Sequence, residues 1–301
     1  KPSMPDTALS IDLQLLQLRQ NNYIAASELQ TRAARLYTQA ECIQYAHGMA
    51  EAALLHAHSL WADMKYPAAQ SMLRQAIILS KKQSALDLLS EGYNLLALIY
   101  VANGRYTQAL SKWLQCIKLS KICGQDGLLI DILIGLGNLW TRAQQSEQAL
   151  NALNSALKRE QCINDELLAS KASICLSREY LKTGQYHDAL ASLEQAASSS
   201  HAINNSTWHA EIHNYRAQAW LALGNLERAA SECQQAWQIV GAEDNLAWAQ
   251  CLTLVSCAQV AMQQQRCASA ELDAAEALAQ RYKLIQFLCQ IALIRSQQAE
   301  H

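Results

Sequence analysis

Small and large apolar residues return along this chain at helical spacing, and the whole pattern repeats about every forty positions. The repeat is plainest in "TGQYHDALASLEQA", with Ala189 as its reference. The matching alanines are Ala26, Ala69, Ala109, Ala149, Ala189, Ala229 and Ala270, at steps of 43, 40, 40, 40, 40 and 41. Seven positions after each stand Ala33, Ala76, Cys116, Ala156, Ala196, Ala236 and Ala277; three before each stand Tyr23, Tyr66, Tyr106, Ser146, Tyr186, Leu226 and Cys267. Twelve before, from the second unit on, every residue is small: Ala57, Ala97, Gly137, Ser177, Ala217 and Ala258. Nine before come Leu60, Tyr100, Trp140, Tyr180, Trp220 and Ala261, mostly aromatic.

Such a unit reads as two helices and a turn. Small residues let helix backbones approach closely, and the larger side chain three positions on fills the adjoining groove. The first helix ends about seven residues before the reference alanine and the second begins about four before it. Gly104, Gly184 and Gly224 fall in the turn, where a positive φ costs glycine little. Pro67 suits the first turn of a second helix. One hairpin cannot bury its apolar face alone, so hairpins must stack. Residues 1–10 are expected to form an unstructured arm, residues 11–280 seven hairpins, and residues 281–301 a capping or connecting helix. The capping stripe would be Leu284, Phe287, Leu288, Ile291 and Ile294, and the first step of 43 would hide an insertion near Cys42–Gly48.

These residues resemble the tetratricopeptide repeat (TPR), whose unit has a small residue and an aromatic on its first helix and G-x-Y-x-x-A opening its second. The resemblance covers about residues 11 to 280. It departs from the family in its period, about 40 where 34 is usual, and in lacking the proline that ends a unit. Six added residues are more than one and a half turns, so longer helices are expected. The resemblance implies an all-α solenoid, a right-handed superhelix whose first helices line a concave groove that holds peptides. Arrays of this longer period are similar to those in bacterial signalling proteins, joined to diguanylate cyclase output domains or placed in maltose-activator-like transcription regulators.

Composition agrees with helix: 51% of residues are apolar, 17% charged, and only three are proline. A net charge of −2 gives no general attraction to nucleic acid or to an anionic membrane, and no apolar run is long enough to span a bilayer. The chain begins at Lys1 rather than Met, as a segment of a longer protein would. Ten cysteines include no C-x-x-C pair, and several occupy slots for small apolar residues. They are read as reduced core thiols of a cytoplasmic protein. No catalytic motif, cofactor motif or metal set is found, so the chain is read as non-enzymatic. His209 and His213 lie four apart with Glu211 between them. His213 stands where Tyr93 and Leu133 pack in earlier units, which makes it a structural histidine.

Carried onto this chain, the groove positions include Glu51, His58 and Trp61, then Glu91, Asn94 and Leu98, then Asp131, Asn138, Thr141 and Arg142. Lys171, Ile174, Arg178, Leu181 and Lys182 follow, then Glu211, Asn214, Gln218 and Leu221, and finally Leu252, Val255, Gln259 and Met262. A step of forty places Lys171 between Asp131 and Glu211, which would neutralise it. Arg142, Arg178 and Lys182 then gather without an evident counter-ion, flanked by Asn138, Asn214 and Gln218. This cluster is the candidate site, and its expected ligand is a protein or peptide bearing an acidic or carboxylate group. Two roles stand open: the sensory or regulatory segment of a cytoplasmic bacterial signalling protein, or a static adaptor. Leu98, Trp61 and the apolar closing helix leave room for a homodimer.

Overall fold

The computed structural model describes residues 7–20, 24–198, 205–241 and 246–299. Among them the regular structure is entirely helical, in fifteen helices. They are α1 (Ala8–Gln20), α2 (Ala26–Cys42), α3 (Ala46–Ala62), α4 (Tyr66–Gln83), α5 (Leu86–Ala102), α6 (Tyr106–Cys123), α7 (Asp126–Arg142) and α8 (Ser146–Ile163). After these come α9 (Glu166–Lys182), α10 (Tyr186–Ala197), α11 (Ser206–Ala222), α12 (Leu226–Val240), α13 (Ala247–Gln263), α14 (Ser269–Arg281) and α15 (Ile285–Ala299). The chain divides into two compact units, residues 1–139 and 140–301, with the boundary inside α7.

The forty-residue step is a physical spacing. Helices α3, α5 and α7 have 17 residues and α4, α6 and α8 have 18, about five turns each. Each second helix buries one stripe at corresponding positions: Ala69, Leu73 and Ala76; Ala109, Trp113 and Cys116; Ala149, Leu153 and Ala156; Ala189, Leu193 and Ala196; Ala229, Cys233 and Ala236. The small residues of the first helices, Ala57, Ala97, Gly137, Ser177, Ala217 and Ala258, are all buried. The turn inside each hairpin from the second on contains a left-handed residue: Met64, Gly104, Gln144, Gly184, Gly224 and Gln265. A side chain caps α9: Asp165 accepts from the amides of Leu167 and Leu168 at 3.0 and 3.1 Å.

In the first unit α3 packs on α2, α4 and α5, and first helices adjoin along one side (α1 with α3, α3 with α5). Its core joins Leu54, Ala57, Leu60, Leu73 and Ile99. A second cluster joins Ile11, Leu15, Ala33, Leu36 and Leu55. In the second unit α9, α11 and α13 adjoin in the same way, and α15 takes the next place beside α13. The closing helix is therefore positioned like the first helix of an eighth hairpin. Leu284, Phe287, Ile291 and Ile294 are buried against Cys251, Leu252, Val255 and Leu272. Its opposite side shows Ile285 and Leu293 to solvent.

Three expectations are corrected at the ends of the array. Residues 1–6 of the expected arm lie outside the described residues, but α1 already includes residues 8–10. There is no insertion near Cys42–Gly48: α2 and α4 start forty positions apart, at Ala26 and Tyr66, as α3 and α5 do at Ala46 and Leu86. The buried residues Ala33, Leu36 and Ala40 match Leu73, Ala76 and Ser80, so the reference slot of the first hairpin is Leu29, not Ala26. Tyr23 lies outside the described residues. In the last hairpin Ala270 and Ala277 are exposed, whereas Ala268, Leu272, Ala275 and Ala279 are buried, so the register is two residues earlier than the alanine spacing indicates. His301, the expected end of the closing helix, also lies outside the described residues.

Candidate functional site

In the first unit, the carboxylates Glu51 and Glu91 and the amide of Asn94, all on first helices, find their partners within the unit. Arg19, in the last turn of α1, donates Nε to Glu51 and Nη1 to both carboxylate oxygens of Glu91, at 2.9 and 3.1 Å. Burial pushes the Glu91 carboxyl up, and Arg19 works against that shift. Asn94 is almost fully buried. It accepts from the Trp113 indole at 2.8 Å and donates to Asp131 at 2.9 Å. Trp61 is half-buried against the core, and Leu98 is half-buried as well.

The second unit differs. A cavity of about 470 Å³ is lined by Leu181 of α9, Tyr186 of α10, Gln218, Leu221 and Ala222 of α11, Gln259, Met262 and Gln263 of α13, and Gln290, Ile294 and Gln297 of α15. Its wall carries no charged side chain. Five glutamines present donors and acceptors around an aliphatic floor, and Tyr186 stands at one edge. Amides of this kind match the alternating N–H and C=O groups of an extended backbone.

On α9, Arg178 and Lys182 stand three residues before and one residue after Leu181, the residue of that helix that lines this cavity. Arg178 is half-buried. Burial opposes its charge, but Cys175, Tyr215 and Glu211 more than reverse that effect and hold its pKa above the ordinary value; the guanidinium donates to the Tyr215 hydroxyl. Burial pushes the Glu211 carboxyl up to about 7, with Arg178 pulling the other way. Near neutrality Glu211 is thus a partly protonated neighbour of Arg178, a counter-charge that grows as pH rises.

This arrangement corrects the picture of partnerless cations. Arg178 has Tyr215 and Glu211, and the Lys182 ammonium donates to the Thr141 carbonyl at 2.8 Å. Arg142 is exposed near the end of α7. Asn214 is fully buried and spends its amide on the Ala210 carbonyl and the Thr253 hydroxyl, both at 2.8 Å, so it holds helices together. Gln218 lines the cavity, with a long contact to Ser256 at 3.4 Å. Asn138 is half-buried on the part of α7 within the first unit. Sequence reasoning missed Tyr186, Gln263, Gln290 and Gln297. Gln290, Ile294 and Gln297 sit four and three apart on α15, a face that could have been read once α15 was recognised as continuing the row of first helices. His213 is buried with Nδ1 2.6 Å from Glu232.

Among the described residues no group of three or more His, Cys, Asp or Glu is placed to hold a metal, and no helix is long and apolar enough to cross a membrane.

A series of helical hairpins of near-constant length, with a lined cavity beside its first helices, defines a helical-repeat protein. Residues 54–117 and 176–242 match the tetratricopeptide repeat family model. Among solved structures, the chain is similar to NprR in complex with its cognate peptide NprX, at 16% identity and a TM-score of 0.68, over 97% of this chain and 84% of that one. It is also similar to the apo form of the quorum sensor NprR from B. thuringiensis, at 15% identity and a TM-score of 0.63, over 96% and 82% of the two chains. A Rap protein complexed with competence and sporulation factor matches at 12% identity and a TM-score of 0.67, over 95% and 81%. No curated protein sequence matches the chain. At these identities the solved structures establish the fold. The chain has a TPR-like fold, an all-α solenoid.

Proposed function

We propose that the chain is a non-enzymatic recognition module that binds a peptide segment in the second unit's glutamine-lined cavity. The carrying observation is that cavity itself: about 470 Å³ of space with five amides over an apolar floor. The amides suit a peptide backbone, and Leu221, Met262 and Ile294 suit an aliphatic side chain. Arg178 and Lys182 then receive an acidic side chain or terminal carboxylate at the cavity's edge, with Gln218 beside them. Arg142 and Asn138 belong to the wider expected site, and Asn214 serves it only by fixing α11 against α13. The similarity to NprR with its peptide and to a Rap protein with its factor supports a peptide as the ligand class.

The module is read as the regulatory segment of a cytoplasmic bacterial signalling protein, with a diguanylate cyclase among the candidate outputs. An adaptor role is favoured by a separate observation, the outward stripe of Ile285 and Leu293 on α15. Scattering from free and peptide-bound protein distinguishes them, since changed dimensions support a switch and unchanged dimensions an adaptor. Binding itself is tested by calorimetric titration with acidic peptides drawn from a random library. An Arg178→Ala, Lys182→Ala variant is expected to lose about tenfold in affinity or more. Equal affinity for both proteins removes the assigned role of these cations.

A further inference from the structure

The face of α13 turned away from the glutamine cavity carries an unrelated feature. Cys233 of α12 is 4% exposed, and Cys257 of α13 packs against the small cluster it forms with Ala217, Ala229 and Val260. The Cys233 thiol donates a hydrogen bond to the Cys257 sulfur. Both residues border an open cavity of about 240 Å³ that also contains Trp237, Arg266 and Glu271. Two free thiols from different hairpins therefore touch at the wall of a cavity large enough for a small reagent.

We propose that Cys233 and Cys257 form a redox-active dithiol, the site at which a low-molecular-weight disulfide oxidises the chain and cross-links α12 to α13. Cys257 is the half-buried member and attacks first. The hydrogen bond from Cys233 holds its thiol below the ordinary value, against burial and the nearby Glu271 carboxylate, which both push it up. Its thiolate attacks one sulfur of the reagent, whose S–S bond breaks as a mixed disulfide forms on Cys257 and one thiolate leaves. Cys233 loses its proton to that thiolate and attacks the Cys257 sulfur, forming the internal S–S bond and expelling the second reagent thiolate. The proton that Cys257 first gave up ends on this second thiolate. Two protein thiols have lost two electrons and two protons, and the reagent leaves as two thiols. The chemistry needs only the two sulfurs and the cavity, so it stands or falls independently of the peptide reading.

The test uses the full chain with the exposed cysteines replaced (Cys42→Ser, Cys162→Ser, Cys267→Ser, Cys289→Ser), incubated with oxidised glutathione, alkylated and digested. The expected product has lost two hydrogens and contains a peptide pair joined through Cys233 and Cys257. Cys233→Ser should instead accumulate a stable glutathione adduct on Cys257, and Cys257→Ser should give neither product. Phenylarsine oxide provides a readout on the parent protein should either variant fail to fold, because it should protect both thiols from alkylation at one equivalent. A persistent adduct on Cys257 in the parent, a cross-link through other cysteines, or no joint protection by the arsenical overturns the proposal.

Discussion

The two units treat their buried carboxylates differently. In the first, Arg19 reaches from α1 to satisfy Glu51 and Glu91, and Asn94 links Trp113 to Asp131. In the second, Glu211 stays protonatable beside Arg178, and both carboxylate oxygens of the buried Glu179 lack a hydrogen-bond partner among the described residues. The Glu179 slot, in the fifth hairpin, holds Ile99 in the third, Leu139 in the fourth and Ala219 in the sixth, all buried. Buried polar groups are almost always paired, so a buried carboxylate with neither oxygen hydrogen-bonded is unusual and calls for an explanation other than stability. The same unit holds the glutamine-lined cavity. Under the proposed function, the first unit is the structural segment and the second the binding segment.

That contrast is open to attack by mutation. The largest effect is expected from Arg19→Ala, which strands two carboxylates and should cost about 2–3 kcal/mol in urea unfolding, less than for a fully buried pair because the groups are partly wet. Peptide affinity should be unchanged, and a loss of binding there would place function in the wrong unit. Next comes the pH dependence of Glu211. Its folded pKa, about 7, lies above the ordinary value of 4.5, so the folded chain holds this proton more tightly than the unfolded chain does. The resulting stabilisation is full at acid pH and is lost as pH rises through about 7, on the order of 2 kcal/mol, and Glu211→Gln should flatten that part of the stability profile. The same titration should weaken an acidic peptide as pH rises, because an ionised Glu211 competes for Arg178. Glu179→Leu should raise stability by about 1–2 kcal/mol by removing an unpaired buried carboxylate, seen as a higher urea midpoint with an unchanged slope. The smallest effect is expected from Met64→Gly. Met64 is left-handed at φ 57°, in the slot that Gly104, Gly184 and Gly224 fill elsewhere, and relieving it should add about 0.5 kcal/mol to the first unit.

The sequence shows most of the fold, because close backbone approach tolerates only small residues. Ala57, Ala97, Gly137 and Ala217 therefore recur at a countable step. Register failed where alanine was the only guide. Alanine is common in this chain, so Ala26 and Ala270 look like reference positions although Leu29 and Ala268 occupy those slots in space. The larger residue of each stripe, such as Leu73 or Leu272, distinguishes the registers. The site was less legible. Simple forty-step neighbours put Lys171 beside Glu211, but a guanidinium is long enough to reach diagonally, and Arg178 takes Tyr215 and Glu211 instead. Arg19 escaped notice because its helix belongs to a hairpin whose register was misread. Gln290 and Gln297 escaped notice because α15 carries no repeat signature, and only its packing beside α13 places it in the row of first helices.

The assignment of binding to the second unit is tested most directly by hydrogen exchange on the full chain, free and saturated with a peptide selected from the random library. The account predicts slowed exchange in α11, α13 and α15, around Gln218, Gln259 and Gln290, with α3 and α5 unchanged. Protection centred on α3 and α5, near Glu51 and Glu91, contradicts it.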